Sequence, residues 1–97
     1  MARLEILNPV AKTVEHSVKP AARRQAIDGG TIGLYWNIKA GGDAALDKTE
    51  ELLRAKYPRA KFKRYIGSVG WLMRHCTAED ADRIASEVDA VIGTTAD

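Results

Sequence analysis

The chain has 97 residues, of which 45% are apolar, and its formal net charge at pH 7 is +2. This length suffices for one small domain but not for two. The small net charge offers no case for nucleic-acid binding, and no apolar run is long enough to predict a membrane span. The single cysteine, Cys76, excludes an internal disulfide and is typical of a reducing compartment. We therefore expect a cytoplasmic protein with no nucleic-acid or membrane partner.

The first 30 residues show no clean periodicity, and Pro9 and Pro20 interrupt them. Three valines have the spacing of one apolar stripe along a short helix: Val10, Val14 and Val18. We interpret residues 1–30 as an N-terminal arm that lies on another surface, and a loosely ordered leader is the alternative. Asp28-Gly29-Gly30 is a turn signal that separates this arm from the next element.

The next two predicted elements are a buried strand and a helix. Thr31–Asn37 is mostly apolar, which predicts a strand buried on both faces. The loop 38–42 follows, and Asp43 is a suitable N-cap for a helix that ends near Tyr57-Pro58. Lys61–Ile66 then carries basic side chains in an imperfect alternation, which predicts a second strand at a sheet edge.

A loop at 67–71 follows the second strand, and residues 72–76 predict either a helical turn or more loop. Thr77 then caps a helix whose first turn contains acidic side chains that complement the helix dipole. Four apolar residues predict the buried stripe of this helix: Ala81, Ile84, Ala85 and Val88. Ala90–Thr94 predicts the third strand.

The order βαβαβ, with right-handed crossovers, predicts three parallel strands. We therefore predict that residues 31–97 are the βαβαβ half of an open, doubly wound parallel α/β sheet. If the first strand is central, as in a doubly wound sheet, the third strand is an apolar, unprotected edge, and such an edge favours pairing with another strand. We expect a second polypeptide to supply that strand.

Two stretches resemble a known family: Ile27–Lys39, followed by Asp43 and Glu51-Leu52-Leu53, and Glu87–Gly93. They resemble the bacterial UGSC-like family, which is named for a motif of selenocysteine or cysteine, Gly, Ser and Cys. In that family an Asn-x-Lys loop follows the first strand, and an Asp-Ala-Val strand precedes the motif. The chain departs from the family at Lys39–Gly42, where the family usually has Lys-Pro-Asn.

The resemblance also implies where a reactive thiol belongs. The family motif would begin directly after Asp97, and the sequence does not contain it. We therefore expect the chain to be an N-terminal half whose thiol motif lies on a second polypeptide. The resemblance implies thiol-centred chemistry without identifying a substrate or a cofactor.

Open α/β sheets bind ligands outside the carboxyl ends of their strands, so we expect a small-molecule substrate there. The loop after the first strand leads into a helix N-terminus, whose free N–H groups favour an anion, and Lys39 would pair with a carboxylate or phosphate. A plain strand-to-helix turn is the alternative. The predicted substrate-binding residues are Asn37, Lys39, Gly41, Gly42, Ser68, Trp71, Thr94, Thr95 and Asp97.

His75 and Cys76 are the candidate catalytic residues. A catalytic cysteine needs a base or a helix N-terminus to hold its thiolate, and Cys76 directly precedes the capped helix. Adjacent side chains seldom point at one another, so a packed cysteine beside a surface histidine is the alternative. No spacing of His, Cys, Asp and Glu matches a metal motif, so we assign no metal ligand.

These observations favour a small subunit of a heteromeric enzyme, whose partner completes the α/β domain and supplies the reactive cysteine. The alternative is a non-catalytic interaction or regulatory module that binds a partner through its open sheet edge. A free-standing anion-binding module is a third possibility.

Overall fold

The computed structural model describes residues 2–71 and 74–95 of the chain. Five elements follow one another: β1 (Thr31–Trp36), α1 (Gly42–Lys56), β2 (Lys61–Ile66), α2 (Ala78–Glu87) and β3 (Ala90–Thr94). The strands form one open parallel sheet in the order β2-β1-β3. The chain is therefore a small α/β protein, and the prediction of an open parallel sheet is confirmed. The first strand lies in its centre. Within the described residues, neither helix is long and apolar enough to cross a membrane.

The main core lies between the sheet and α1. Ile32 and Leu34 of β1 are buried there against Leu46 of α1 and Ala60, which precedes β2. Burying each large aliphatic side chain contributes about 2 kcal/mol, so this cluster is the largest apolar contribution to the fold. Arg64, which pairs with Leu34 in the sheet and shares its face, forms ion pairs with acidic side chains of α1.

The other face of the sheet carries α2. Tyr65 points to this face because side chains alternate along a strand, and its hydroxyl donates a hydrogen bond to Glu87 of α2. Of the predicted stripe on α2, Ile84 is buried and Val88 is half-buried. Ala81 and Ala85 are exposed, so the prediction of a fully buried stripe was wrong. The described sheet has only three strands, and it leaves one side of α2 uncovered.

The start of α1 differs from the predicted one. The N-cap is Gly41, which adopts a left-handed φ of 88° that glycine tolerates without strain, and Asp43 lies inside the first turn. The prediction of Asp43 as N-cap was therefore wrong, although its charge still complements the helix dipole. Gly42 is buried against Trp36, since a Cβ at this position would lie 2.8 Å from the Cδ1 atom of that indole.

The predicted cap of α2 is confirmed. The hydroxyl of Thr77 accepts from the N–H of Asp80 (3.1 Å), and the carboxylate of Asp80 accepts from the N–H of Thr77 (3.1 Å). Asp80 also accepts from the hydroxyl (2.7 Å) and the N–H (3.0 Å) of Ser68. Asp80 is only 5% exposed, and the bonds from Ser68 and Thr77 hold the pKa of its carboxyl well below the usual value. This side chain therefore ties the loop after β2 to the start of α2.

Residues 2–26, called the N-terminal segment below, form neither helix nor strand, and their side chains are exposed. The short helix predicted from Val10, Val14 and Val18 is absent from these residues. A helix of that length is marginal in water unless its apolar face is packed, and these three valines are at least 72% exposed. An ion pair between Arg24 and Asp89 (2.8 Å) joins the end of the segment to the folded body. That the segment lies on another surface stays a prediction.

We expect Asp80→Asn to lower the midpoint of thermal unfolding at pH 7, because a neutral amide oxygen accepts weaker hydrogen bonds from Ser68 and Thr77 than the carboxylate does, and the amide nitrogen would face the guanidinium of Arg83. The folded-state pKa of Asp80 is lowered, so its ionised form stabilises the fold above the ordinary value of 3.8. This stabilisation is lost as the pH falls below that value and through the folded-state pKa. The deficit of the variant should therefore shrink in strong acid, as circular dichroism melts at pH 7 and in acid would measure.

Asp82→Asn is the matched control for this prediction, because Asp82 is exposed on the same helix. It should melt like the unmodified chain at neutral pH. Equal midpoints for Asp80→Asn and Asp82→Asn would contradict the role assigned to the buried carboxylate.

Candidate functional site

Asn37 fastens the carboxyl end of β1 to that of β3. Its Oδ1 accepts from the N–H of Thr95 (3.1 Å), and its Nδ2 donates to the carbonyl of the same residue. Its backbone N–H donates to the carbonyl of Thr94 (3.0 Å), and its Oδ1 also accepts from the N–H of Lys39 (3.2 Å). The side chain of Asn37 therefore shapes the loop that begins after it.

The loop between β1 and α1 is a tight turn closed by hydrogen bonds. The carbonyl of Lys39 accepts from Nε1 of Trp36 (2.7 Å) and from the N–H of Gly42 (3.1 Å). The hydroxyl of Thr94 donates to the carbonyl of Gly42 (2.9 Å). Ile38 has a φ of 71°, which is uncommon for a β-branched residue, so the turn holds its backbone in a strained conformation.

Six of the predicted substrate-binding residues come together at the carboxyl ends of β1 and β3. We call them the loop cluster: Asn37, Lys39, Gly41, Gly42, Thr94 and Thr95. The cluster directly precedes the N-terminus of α1, where backbone N–H groups and the helix dipole favour a negative charge. The ninth predicted residue, Asp97, lies outside the described residues.

The remaining two predicted residues, Ser68 and Trp71, lie in the loop after β2. The hydroxyl and N–H of Ser68 both donate to Asp80, so this serine has a structural role in the cap of α2. The side chain of Trp71 is 87% exposed. Their participation in a substrate site stays a prediction.

The candidate catalytic pair is exposed in the structure. The N–H of His75 donates to the carbonyl of Val69 (2.6 Å) in an isolated antiparallel bridge. Cys76 lies beside Tyr35, and burial together with the nearby thiol raises the pKa of that phenol. Among residues 2–71 and 74–95, no hydrogen bond joins His75 to Cys76. The same residues contain no group of three His, Cys, Asp or Glu side chains that could hold a metal ion.

An apolar groove of about 350 Å³ lies between α2 and the sheet, beside the edge strand β3. Its lining includes Tyr35, Cys76, Ala81, Ala85, Val91 and Gly93. Val91 is 51% exposed there. Sequence reasoning missed this groove because it counted both alanines as buried. Two features of the sequence together could have revealed the groove: the small residues on the apolar stripe of α2, and a third strand with no neighbour on its outer side.

A second cavity of about 300 Å³ adjoins the groove at the start of β3. Ala85 and Val91 line both cavities, and Ala21 of the N-terminal segment lines the second one. The N-terminal segment therefore leaves the folded body next to the end of the groove.

The fold and the site define a small α/β protein with an open parallel sheet, a loop cluster at the carboxyl ends of two strands and an apolar groove beside its edge. Residues 5–97 match the UGSC family, and the chain belongs to that family. The resemblance seen in the sequence is thereby confirmed over almost the whole chain. No curated protein and no solved structure matches the chain.

We expect Asn37→Ala to lower the free energy of unfolding by roughly 0.5–1.5 kcal/mol, because the N–H groups of Thr95 and Lys39 then exchange their protein acceptor for water. Denaturant titration would measure the change. Asn37→Asp is the matched comparison, since it keeps the Oδ1 acceptor but puts a carboxylate oxygen against the carbonyl of Thr95, and it should also lower the free energy of unfolding. Unfolding curves for Asn37→Ala that coincide with those of the unmodified chain would show that these bonds do not hold the strand ends together.

Proposed function

We propose that the chain is a small subunit of a heteromeric enzyme, and that it forms the βαβαβ half of a doubly wound α/β domain which a second polypeptide completes. The second polypeptide supplies a reactive cysteine, and a small-molecule substrate binds between the two at the carboxyl ends of the strands. The observation that carries this proposal is the open edge of β3, which is apolar and adjoins both the loop cluster and the groove.

The edge supports a further strand. β3 pairs with β1 on one side, with Leu34 opposite Ile92 and Tyr35 opposite Gly93. On its other side the described residues place no strand. An apolar strand with unpaired backbone groups is a template for another chain, and β3 carries no charged side chain to prevent such pairing.

The groove supports a further helix. β2 and β3 lie on opposite sides of β1, so right-handed crossovers place α1 and α2 on opposite faces. A crossover from β3 to a fourth strand beyond it would therefore carry its helix on the face of α2, over the groove. Ala81, Ala85 and Gly93 have small side chains or none, and this allows a helix to approach closely.

The loop cluster supports substrate binding at the same edge. It combines the positive charge of Lys39 with the N-terminus of α1, which suits a substrate with a carboxylate or another anionic group. Asn37 and Thr94 act as positioning residues, because their side chains are engaged in holding the turn. Membership of the UGSC family supports the thiol chemistry assigned to the second polypeptide.

We expect a polypeptide that contains a Cys-Gly-Ser-Cys motif to copurify with the untagged chain from its native host. Val91→Asp should abolish this copurification, because it places a charge where the added strand and helix would pack. Leu52→Asp is the control, since Leu52 is 59% exposed on α1, on the far face of the sheet. Intact mass spectrometry would identify the second chain. A copurifying chain without the motif, or equal capture by both variants, would contradict the proposal.

We expect Lys39→Ala to weaken anion binding by the assembled complex about tenfold, because a hydrogen bond to a charged group contributes roughly 1.5–3 kcal/mol. Isothermal titration with acetate and with inorganic phosphate would measure it. Lys48→Ala is the control, since Lys48 forms an exposed ion pair with Glu51 on α1. Unchanged affinity would remove Lys39 from the site. A complex that assembles but binds neither anion would favour the non-catalytic interaction module.

A further inference from the structure

The chain exposes two apolar surfaces that do not meet each other. One is the groove beside β3. The other is the N-terminal segment, whose large apolar side chains are 72–90% exposed: Leu4, Ile6, Leu7, Val10, Val14 and Val18. A helix over part of this segment would gather three of these side chains, Val10, Val14 and Val18, into one apolar face.

We propose that two copies of the chain exchange their N-terminal segments, so that residues 9–19 of each copy form a helix in the groove of the other. Exchange of an identical element gives a closed dimer in which each groove is covered once. The exchange does not depend on the proposed function, because it concerns the chain by itself. A completing polypeptide would occupy the same groove, so the two occupants compete.

The N-terminal segment already contains the start of such a helix. Oδ1 of Asn8 accepts from the N–H of Val10 (3.1 Å), which is the bond that an N-cap makes. Pro9 then occupies the first helical position, where proline is favoured, and Pro20 marks the other end. In a helix over residues 9–19 the three valines share one face. To form this helix, residues 9–19 need an apolar surface against which the three valines can pack.

The charges of the two surfaces are complementary. Residues 2–24 contain five basic and two acidic side chains: Arg3, Lys12, Lys19, Arg23 and Arg24 against Glu5 and Glu15. Residues 77–90, which include α2, expose four acidic side chains and one basic one: Glu79, Asp82, Glu87 and Asp89 against Arg83. The ion pair between Arg24 and Asp89 is a contact of this kind within one chain. Opposite charges at the rim of an apolar contact favour and orient association.

The direction in which the N-terminal segment leaves the folded body favours binding to the groove of a second copy over binding to the groove of the same chain. Ala21 lies at the end of the groove, but the residues before it run away from the body, and the molecule measures 74 Å along its longest axis against 31 and 26 Å. A helix of 11 residues is about 16 Å long, which matches the roughly 15 Å length of the ten-residue helix α2. Residues 9–19 are thus long enough to line the groove, and in the single chain they lie outside their own groove.

The first test is the mass of the purified chain alone, measured by light scattering after size-exclusion chromatography at about 100 μM. We expect a dimer, and we expect Val14→Asp to give a monomer because the charge would enter the apolar contact. His16→Asp adds the same charge on the opposite face of the helix and should remain a dimer. A monomeric unmodified chain, or a dimer that Val14→Asp leaves intact, would overturn the exchange. Neither result bears on capture of a second polypeptide, so the two proposals fail separately.

The second test uses the native thiol in the groove. Val10→Cys should form an intermolecular disulfide with Cys76 under mild oxidation by copper phenanthroline, which accepts the two electrons released. Lys12→Cys, on the opposite helix face, is the control and should not form it. Peptide mapping of the non-reduced product would identify the bond. An internal disulfide in a monomer would show that the segment folds onto its own groove and would overturn the exchange.

Discussion

The pairing of β1 with a parallel strand on each side is the constraint on which the rest of the structure depends. Because parallel crossovers are right-handed, placing β2 and β3 on opposite sides of β1 puts α1 and α2 on opposite faces. α1 then covers the buried side chains of Ile32 and Leu34, and α2 has too few strands beneath it to cover its own apolar side. The groove and the open edge of β3 both follow from this arrangement.

Two polar side chains fix the loops at the carboxyl ends of the strands. Asn37 joins the ends of β1 and β3, and Asp80 joins the loop after β2 to the cap of α2. Both side chains accept hydrogen bonds from backbone N–H groups in loops, where no helix or strand supplies an acceptor. The loop cluster is therefore held in a defined shape by hydrogen bonds within the chain itself.

The open surface of the chain has two possible occupants, and they differ in what they supply. A completing polypeptide would add a strand to β3 and bring a thiol to the loop cluster. An exchanged N-terminal segment would cover only the groove, and it would leave the strand edge unpaired. If both proposals hold, competition between the two occupants would couple self-association of the chain to assembly of the proposed heteromeric enzyme, because both use the side chains around Val91.

Local signals in the sequence determined the elements. Apolar stretches predicted β1 and β3, and the imperfect alternation of basic and apolar side chains predicted β2. Thr77 predicted the start of α2. These signals are local, because a threonine cap and a strand pattern depend on neighbours a few residues away. Only the tertiary structure decided that Gly41 caps α1 in place of Asp43, since the tight packing of Gly42 against Trp36 sets where the helix begins. It also decided that Asn37 meets Thr95, a contact across 58 positions that no local pattern reveals. The tertiary structure also decided that Ala81 and Ala85 of α2 are exposed, because the burial of a helix depends on how many strands lie beneath it.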